Sequence, residues 1–280
     1  MKLFHKVIRR IARSIPGIRA TTFLRAQFDR TNPYFVGWGM TTGNYPPWHQ
    51  GEGDSVSRAF YEANEQFLAR VREGSFQLTQ LRNLTVEARE EFVRGLSWRH
   101  FIAQWSVLWA ARGIRCLDVT LVECGVCDGM LSYFAMKALQ GQYTFNCTLY
   151  DAWQAMQAEQ LLPSEIKAVG AYGYLSLDTT KSNLEMFREQ CTFVKGTIPE
   201  SLSATKGPDE VNWLHVDLNS AIPTLATLEY FWPVMPSGSV VLIDDYLWSS
   251  ETKHECDSFF ADRNCVFLPL PTGQGVCFKN

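Results

Sequence analysis

The sequence predicts an α/β protein: a mostly parallel sheet covered by helices on both faces. Three observations carry this. From Leu117 onward, short apolar strand-like runs alternate with helical patterns, the signature of a sheet layered between helices. Leu214-His215-Val216-Asp217 and Val240 to Tyr246 are apolar runs that each end in acid. Ile222 to Trp232 reads as a helix between them, and Met235-Pro236-Ser237-Gly238 as the turn out of it. That is one strand, crossover helix and parallel strand. Third, Leu121 to Gly129 ends a strand in a glycine turn and opens a helix over Met130 to Leu139.

The strands predicted in order are 117–123, 145–150, 191–195, 211–217, 239–244, 264–268 and 275–279. Ahead of them the pattern is helical. Asp54 or Ser55 caps a helix through Arg72, Thr85-Val86-Glu87-Ala88 opens another, and Ser97 to Arg112 forms a third. The expected division is a helical and loop N-terminal extension over 1–112, then an α/β domain over 113–280. Within the extension, Leu3, Phe4, Val7, Ile8, Ile11 and Ile15 form one helical stripe. Lys2, Lys6, Arg9, Arg10 and Arg13 cover the opposite face, and Pro16-Gly17 ends the pattern. Residues 31–53 are rich in Gly, Pro, Trp and Tyr and read as an ordered lid. Tyr34, Trp38, Tyr45 and Trp48 would stack on an acceptor ring or form a dimer contact.

The totals set bounds. The 280 residues are 46% hydrophobic and 20% charged, an ordinary globular balance. A net charge of −3 does not favour nucleic acid as a partner. The charge is uneven: residues 1–30 hold eight Lys/Arg against Asp29 alone, leaving −10 on the remainder. The basic helix is expected to pack on the domain or across an interface between copies. A peripheral contact of residues 1–19 with an anionic membrane is the alternative, and a mitochondrial presequence a third. No run approaches the roughly 18 apolar residues of a membrane span. No signal peptide is visible, so a cytoplasmic homo-oligomer is expected, at the inner membrane surface if the helix binds lipid. The eight cysteines then read as reduced and mostly buried. Cys124 and Cys127 have metal or redox spacing, but no second pair completes a four-thiolate site.

The chemistry gathers at the strand ends. In a right-handed crossover the ends holding Asp217, Asp244 and Asp245 emerge on one edge. Three carboxylates that close repel unless a cation sits between them. A hard divalent ion, Mg²⁺ foremost, prefers such oxygen ligands. Asp151 ends the second strand and suits a ribose diol, with a simple cap as its alternative. Gly125 permits a tight turn and close backbone approach. His215 lies on the same sheet face as Asp217 and reads either as a base or as a satisfied core histidine. His100, after Trp98-Arg99, is a further candidate near the acceptor.

In order and spacing these residues resemble class I S-adenosylmethionine-dependent methyltransferases, and the macrocin O-methyltransferase family in particular. The matching segments are Val122 to Gly129, Asp151-Ala152-Trp153, Phe193 to Leu202, Leu214 to Asp217 with Asn219, and Asp244-Asp245-Tyr246. They cover roughly residues 95–280. The resemblance implies a Rossmann-like seven-stranded sheet in the order 3-2-1-4-5-7-6. It implies a cofactor site of Glu123, Cys124, Gly125, Gly129, Asp151, Ala152, Trp153, Gly196, Thr197, Ile198 and Asp217. Mg²⁺ would lie on Asp217, Asp244 and Asp245, with Asp217 or His215 as base, and the acceptor would be a hydroxyl of a sugar, glycan or glycosylated small molecule. The chain departs from the family at Asn219, where an acid is usual, and at Cys127-Asp128, where an aromatic and a basic residue are common. Catechol-type methyltransferases are a rival reading, but their lysine base is Ser220 here. A nicotinamide oxidoreductase needs a different glycine spacing. A non-catalytic membrane-surface or assembly protein on the same fold is the remaining alternative.

Overall fold

The computed structural model describes residues 55–114 and 118–280. The basic helix, the aromatic lid segment and Cys116 lie outside the described residues. Seven strands form one sheet in the order β3-β2-β1-β4-β5-β7-β6, the order the family resemblance implies. They are β1 (Asp118–Cys124), β2 (Thr144–Asp151), β3 (Cys191–Lys195), β4 (Trp213–Val216), β5 (Val240–Ile243), β6 (Cys265–Pro269) and β7 (Gly275–Lys279). β1 to β5 pair in parallel, and β7 runs antiparallel between β5 and β6. β4 and β5 are buried throughout, so their apolar runs are continuous rather than alternating.

The helices, numbered over the described residues, are α1 (Ser55–Glu73), α2 (Val86–Gly95), α3 (Ser97–Gly113), α4 (Met130–Leu139), α5 (Leu177–Asn183), α6 (Glu200–Ala204), α7 (Ala221–Phe231) and α8 (Ser250–Ala261). Thr85 caps α2 by accepting from the Ala88 amide at 3.3 Å, as the sequence predicts.

Strand alternation splits the core in two. Val119 and Leu121 of β1, Trp213 of β4, and Val240 and Leu242 of β5 face a cluster built with α1 to α4. Val122, Cys124, Leu214, Val216, Val241 and Ile243 face the other, built with α7 and α8. On the first side Phe67 of α1 packs its ring 5.2 Å from Tyr133 and 4.9 Å from Phe134 of α4. Truncating such a fully buried aromatic costs about 3–5 kcal/mol, so α1 is fastened to the sheet layer. α3 packs beside α4 and against β4 and β5, and is buried on most of its circumference, as a helix apolar nearly all round must be. Its Ser106 Oγ accepts from the Trp213 indole at 2.9 Å. This placement brings the start of α3 over the ends of β4 and β5. Among the described residues no helix is long and apolar enough to cross a membrane.

Candidate active site

The carboxyl ends of β1 and β4 flank the point where strand order reverses, the place where open α/β sheets bind ligands. Backbone strain concentrates near this edge. Cys127, Trp153 and Asn219 have φ of 55°, 43° and 55°, and they follow β1, β2 and β4. Left-handed backbone at side-chain-bearing residues persists only where surrounding structure holds it, and it clusters at functional sites. Gly125 has φ +90°, and a Cβ there would lie 1.9 Å from the carbonyl oxygen of Asp217. The close approach that Gly125 permits is therefore to the β4 backbone. The Asp217 amide donates to the Cys124 carbonyl at 2.9 Å and locks the two strand ends together.

Asp151 holds the glycine turn from the β2 side. One carboxylate oxygen accepts from the Val126 and Cys127 amides, both at 2.8 Å, and the other from the Trp153 amide at 2.6 Å. Three of roughly four lone-pair positions are used, which leaves one for a ribose hydroxyl. The cap and the ligand reading are thus compatible. Burial raises its pKa, against the lowering effect of those three amides.

Glu123 turns elsewhere. Alternation places it on the face of Leu121, beneath α4. Its carboxylate accepts from Ser132 Oγ, and its other oxygen lies 3.0 Å from His215 Nδ1. Both residues are fully buried. Glu123 therefore positions His215 rather than facing a cofactor. Burial lowers the His215 pKa, but the Glu123 hydrogen bond and charge outweigh it, so the net shift is upward. Among the described residues His215 Nε2 has no hydrogen-bond partner, and the ring stacks on Trp213 at 5.6 Å.

The acid cluster forms as expected, with one addition. Asp217 and Asp244 continue the face of His215 and Leu242, toward α3. One donor atom from each of His215, Asp217 and Asp244 lies within 4.8 Å of the others. Between the two carboxylates sits Arg99 of α3. Its Nη2 lies 2.7 Å from Asp217 Oδ2 and 2.5 Å from Asp244 Oδ2, and its Nε donates to Asp244 Oδ1 at 3.0 Å. Gln274 Nε2 donates to Asp244 Oδ1 at 2.8 Å. Asn219 Nδ2 donates to Asp217 Oδ1 at 3.1 Å. Every oxygen of the two carboxylates thus accepts from a protein N–H. Burial acts to lower the Arg99 pKa, but the Asp244 and Asp217 charges raise it on balance.

Asp245 shares a side-chain hydrogen bond with Asp217 and accepts from the Asn219 amide at 2.9 Å. Burial, then the charges of Asp217 and Asp244, push its pKa well up. Asp217 is raised less, because Arg99 and His215 oppose burial and Asp244. Arg99 thus stands where Mg²⁺ was expected among Asp217, Asp244 and Asp245. The spacing suits a divalent ion, but Arg99 holds the cation's position and the ligand oxygens are engaged. The residues present do not fit a bound Mg²⁺.

Asn219 emerges as the hub of this corner. In addition to Asp217 and Asp245, it accepts from the Tyr172 hydroxyl at 2.9 Å. Asn tolerates the left-handed backbone found here. Ser220 is buried, with Oγ 2.7 Å from the Gln160 carbonyl and 2.8 Å from Glu165. It secures the start of α7 and offers no base.

Of the other expected cofactor residues, Gly129 (φ +87°) caps α4, and Ala152 and Gly196 lie at the ends of β2 and β3 on the same edge. Thr197 Oγ1 donates to Glu200 at 2.9 Å and helps start α6. Cys124 and Ile198 belong to the core on the α7 side. Trp153 is a core residue: its indole donates to Thr180 Oγ1 at 2.9 Å. His100 is fully buried against Phe134 (4.0 Å between rings) with Nδ1 2.9 Å from Asn64. The seven described cysteines are free, and burial raises the thiol pKa of Cys124 and Cys127, which makes them inert.

Sequence reasoning missed Arg99, Gln274 and Tyr172. Arg99 left a signal. It precedes Ile102, Ala103, Ser106 and Ala110 at helical spacing, all on the buried side of α3, and an arginine on such a face needs an acid partner. A second missed feature joins the helical layer to the glycine turn. The Asp128 carboxylate accepts from the Thr79 amide at 2.7 Å and from its hydroxyl. Asn183 binds Gln77 through both its amide and carbonyl.

Comparison with known proteins follows this geometry. Residues 122–246 match the family described as a methyltransferase domain. The fold resembles that of the O-methyltransferase NovP, with 20% identity over 65% of this chain and 79% of that one, at a TM-score of 0.56. The calicheamicin methyltransferase CalS11 gives 17% identity over 75% and 91%, at 0.48. An O-methyltransferase from Bacillus cereus gives 11% over 78% and 91%, at 0.45. A comparison with curated proteins finds no match. Sheet order and glycine turn thus accompany a methyltransferase-domain match over residues 122–246.

Proposed function

We propose that the protein transfers a methyl group from S-adenosylmethionine to a hydroxyl of a sugar or glycosylated metabolite. The observation that carries this reading is Asp217. Its side chain is 22% exposed at the strand-order reversal, whereas the Glu123–His215 pair is closed off at 2% and 0%. Only Asp217 of these reaches an incoming hydroxyl. Bound S-adenosylmethionine supplies an electrophilic methyl on a sulfonium, and the displacement then demands chiefly alignment. Asp217 takes the hydroxyl proton. Its raised pKa brings it nearer neutrality, where a general base works best. Arg99 and Asn219 hold its two oxygens in place. His215 supports the cluster from beneath through Glu123. Asp151 keeps the glycine turn open and offers its remaining lone pair to a ribose.

The sugar acceptor rests on the macrocin-type segments Phe193 to Leu202 and Asp244-Asp245-Tyr246. No step is assigned to Mg²⁺, because its ligand oxygens are taken. Calorimetry with S-adenosylhomocysteine tests the reading: stoichiometric binding is expected, and absence of heat and of thermal shift at millimolar ligand would sink it. Asp217→Asn should abolish methylation of glycosylated acceptors while leaving that binding nearly unchanged.

A further inference from the structure

We infer that Arg99 is the resident cation of this active site, taking the place between Asp217 and Asp244 where a divalent ion would otherwise bind, so that the site runs without a metal. The inference rests on the methyltransferase reading above and deepens it.

Three observations carry it. The guanidinium makes a fork on Asp244, through Nε at 3.0 Å and Nη2 at 2.5 Å, and the same Nη2 reaches Asp217 at 2.7 Å. This is the paired geometry for which arginine, unlike lysine, is built. Second, the remaining donors tie the same oxygens down. Gln274 donates to Asp244 and Asn219 to Asp217, so an arriving ion would have to compete with several hydrogen bonds at once. Third, Arg99 has nowhere else to go. It is 6% exposed, on a helix packed against β4, β5 and α4. Swinging it out would strand a buried charge and leave two adjacent carboxylates bare.

Arg99 contacts the acids and not the reacting atoms, so it is a positioning residue. It neutralises the Asp217–Asp244 repulsion and fixes the Asp217 rotamer, the two tasks a bound ion would perform for this pair. A guanidinium differs from Mg²⁺ in one respect: it has no open coordination position, so the acceptor oxygen is activated by the Asp217 carboxylate alone.

Mn²⁺ titration followed by electron paramagnetic resonance tests this, on the full chain with S-adenosylhomocysteine present. The wild-type protein should take up no stoichiometric Mn²⁺ at millimolar concentration. Arg99→Met should create one site per chain, with affinity raised roughly tenfold or more because two carboxylates have lost their counter-ion. Asp244→Asn in that background should remove the new site. Arg99→Lys, which keeps a charge on the same helix, should remain without stoichiometric Mn²⁺. A wild-type protein that binds one Mn²⁺ per chain, and loses it on Asp244→Asn alone, would overturn the inference even if Arg99→Met fails to fold. Failure of S-adenosylhomocysteine binding is read in separate calorimetry, and it would refute the methyltransferase reading without touching the Mn²⁺ result.

Discussion

Gly125→Ala is the sharpest perturbation the fold offers. The added Cβ would sit 1.9 Å from the Asp217 carbonyl oxygen and 2.7 Å from its carbon. Both obstacles are backbone, so no side chain can swing away. Carbon contacts settle near about 3.5 Å, so the turn and the end of β4 must part by more than about 1 Å. Two costs follow. The backbone at φ +90° disfavours an L side chain by about 1–2 kcal/mol. Parting the strands also loosens the Asp217 amide bond to Cys124 and the Gly125 amide bond to Tyr150, both 2.9 Å, at about 1 kcal/mol each. The expected loss is about 2–4 kcal/mol, which for a domain of this size lowers Tm by about 5–15 °C. Asp217 shifts with the strand, and a displacement near 1 Å at a reacting group costs about 100-fold in rate. A thermal melt and S-adenosylhomocysteine calorimetry read the two effects separately. An alanine variant that melts with the wild type and binds the ligand equally well would refute the claim that Gly125 is fixed by β4.

Three further expectations follow from the same contacts. Asp128→Ala removes both Thr79 hydrogen bonds and should cost about 2–3 kcal/mol in urea unfolding, together with weaker S-adenosylhomocysteine binding; unchanged binding would separate the helical layer from the cofactor turn. Glu165→Ala leaves the Leu162 and Ala221 amides without their acceptor and removes one of the two Ser220 contacts, for a Tm loss of about 5–10 °C; a loss under about 2 °C would mean that water replaces the carboxylate. The His215 pKa is raised above its ordinary 6.5 by Glu123, net of burial. A raised pKa stabilises below the unfolded value and that stability is lost as pH rises through the folded one. The urea midpoint should therefore fall as pH climbs above about 6.5, and Glu123→Gln should flatten that part of the slope; an identical slope in the variant would assign the titration elsewhere.

Much of the fold was legible because its signals are local. Continuous apolar runs marked β4 and β5, and Met130 to Leu139 declared itself by the glycines before it. The meeting of Asp217 with Asp244 was also legible, since a crossover unit sends both strand ends to one edge. What occupies the space between them was not. Arg99 lies 118 residues before Asp217, and only the packing of α3 over β4 brings it there. Like-charge reasoning asked correctly for a cation and supplied Mg²⁺, because nothing local to the acids pointed to a helix outside the matched motifs. Glu123 failed for a different reason. Strand alternation puts it on the face of Leu121, under α4, and that test was open from the sequence. Asp151 was read as a cap or a ribose ligand; its three amide contacts show the capping part, and a carboxylate has lone pairs enough for both.

The bonds from Asp128 to Thr79 and from Asn183 to Gln77 have a consequence for protein engineering. The segment that precedes the sheet is tied directly to the loop beside which the methyl donor would lie. Grafting the amino-terminal helices of a relative onto this sheet, in order to exchange acceptor preference, would break those ties unless residues 77–79 travel with their partners. A chimera should therefore be cut ahead of Gln77, within the 74–76 turn, so that Gln77 and Thr79 stay with Asn183 and Asp128.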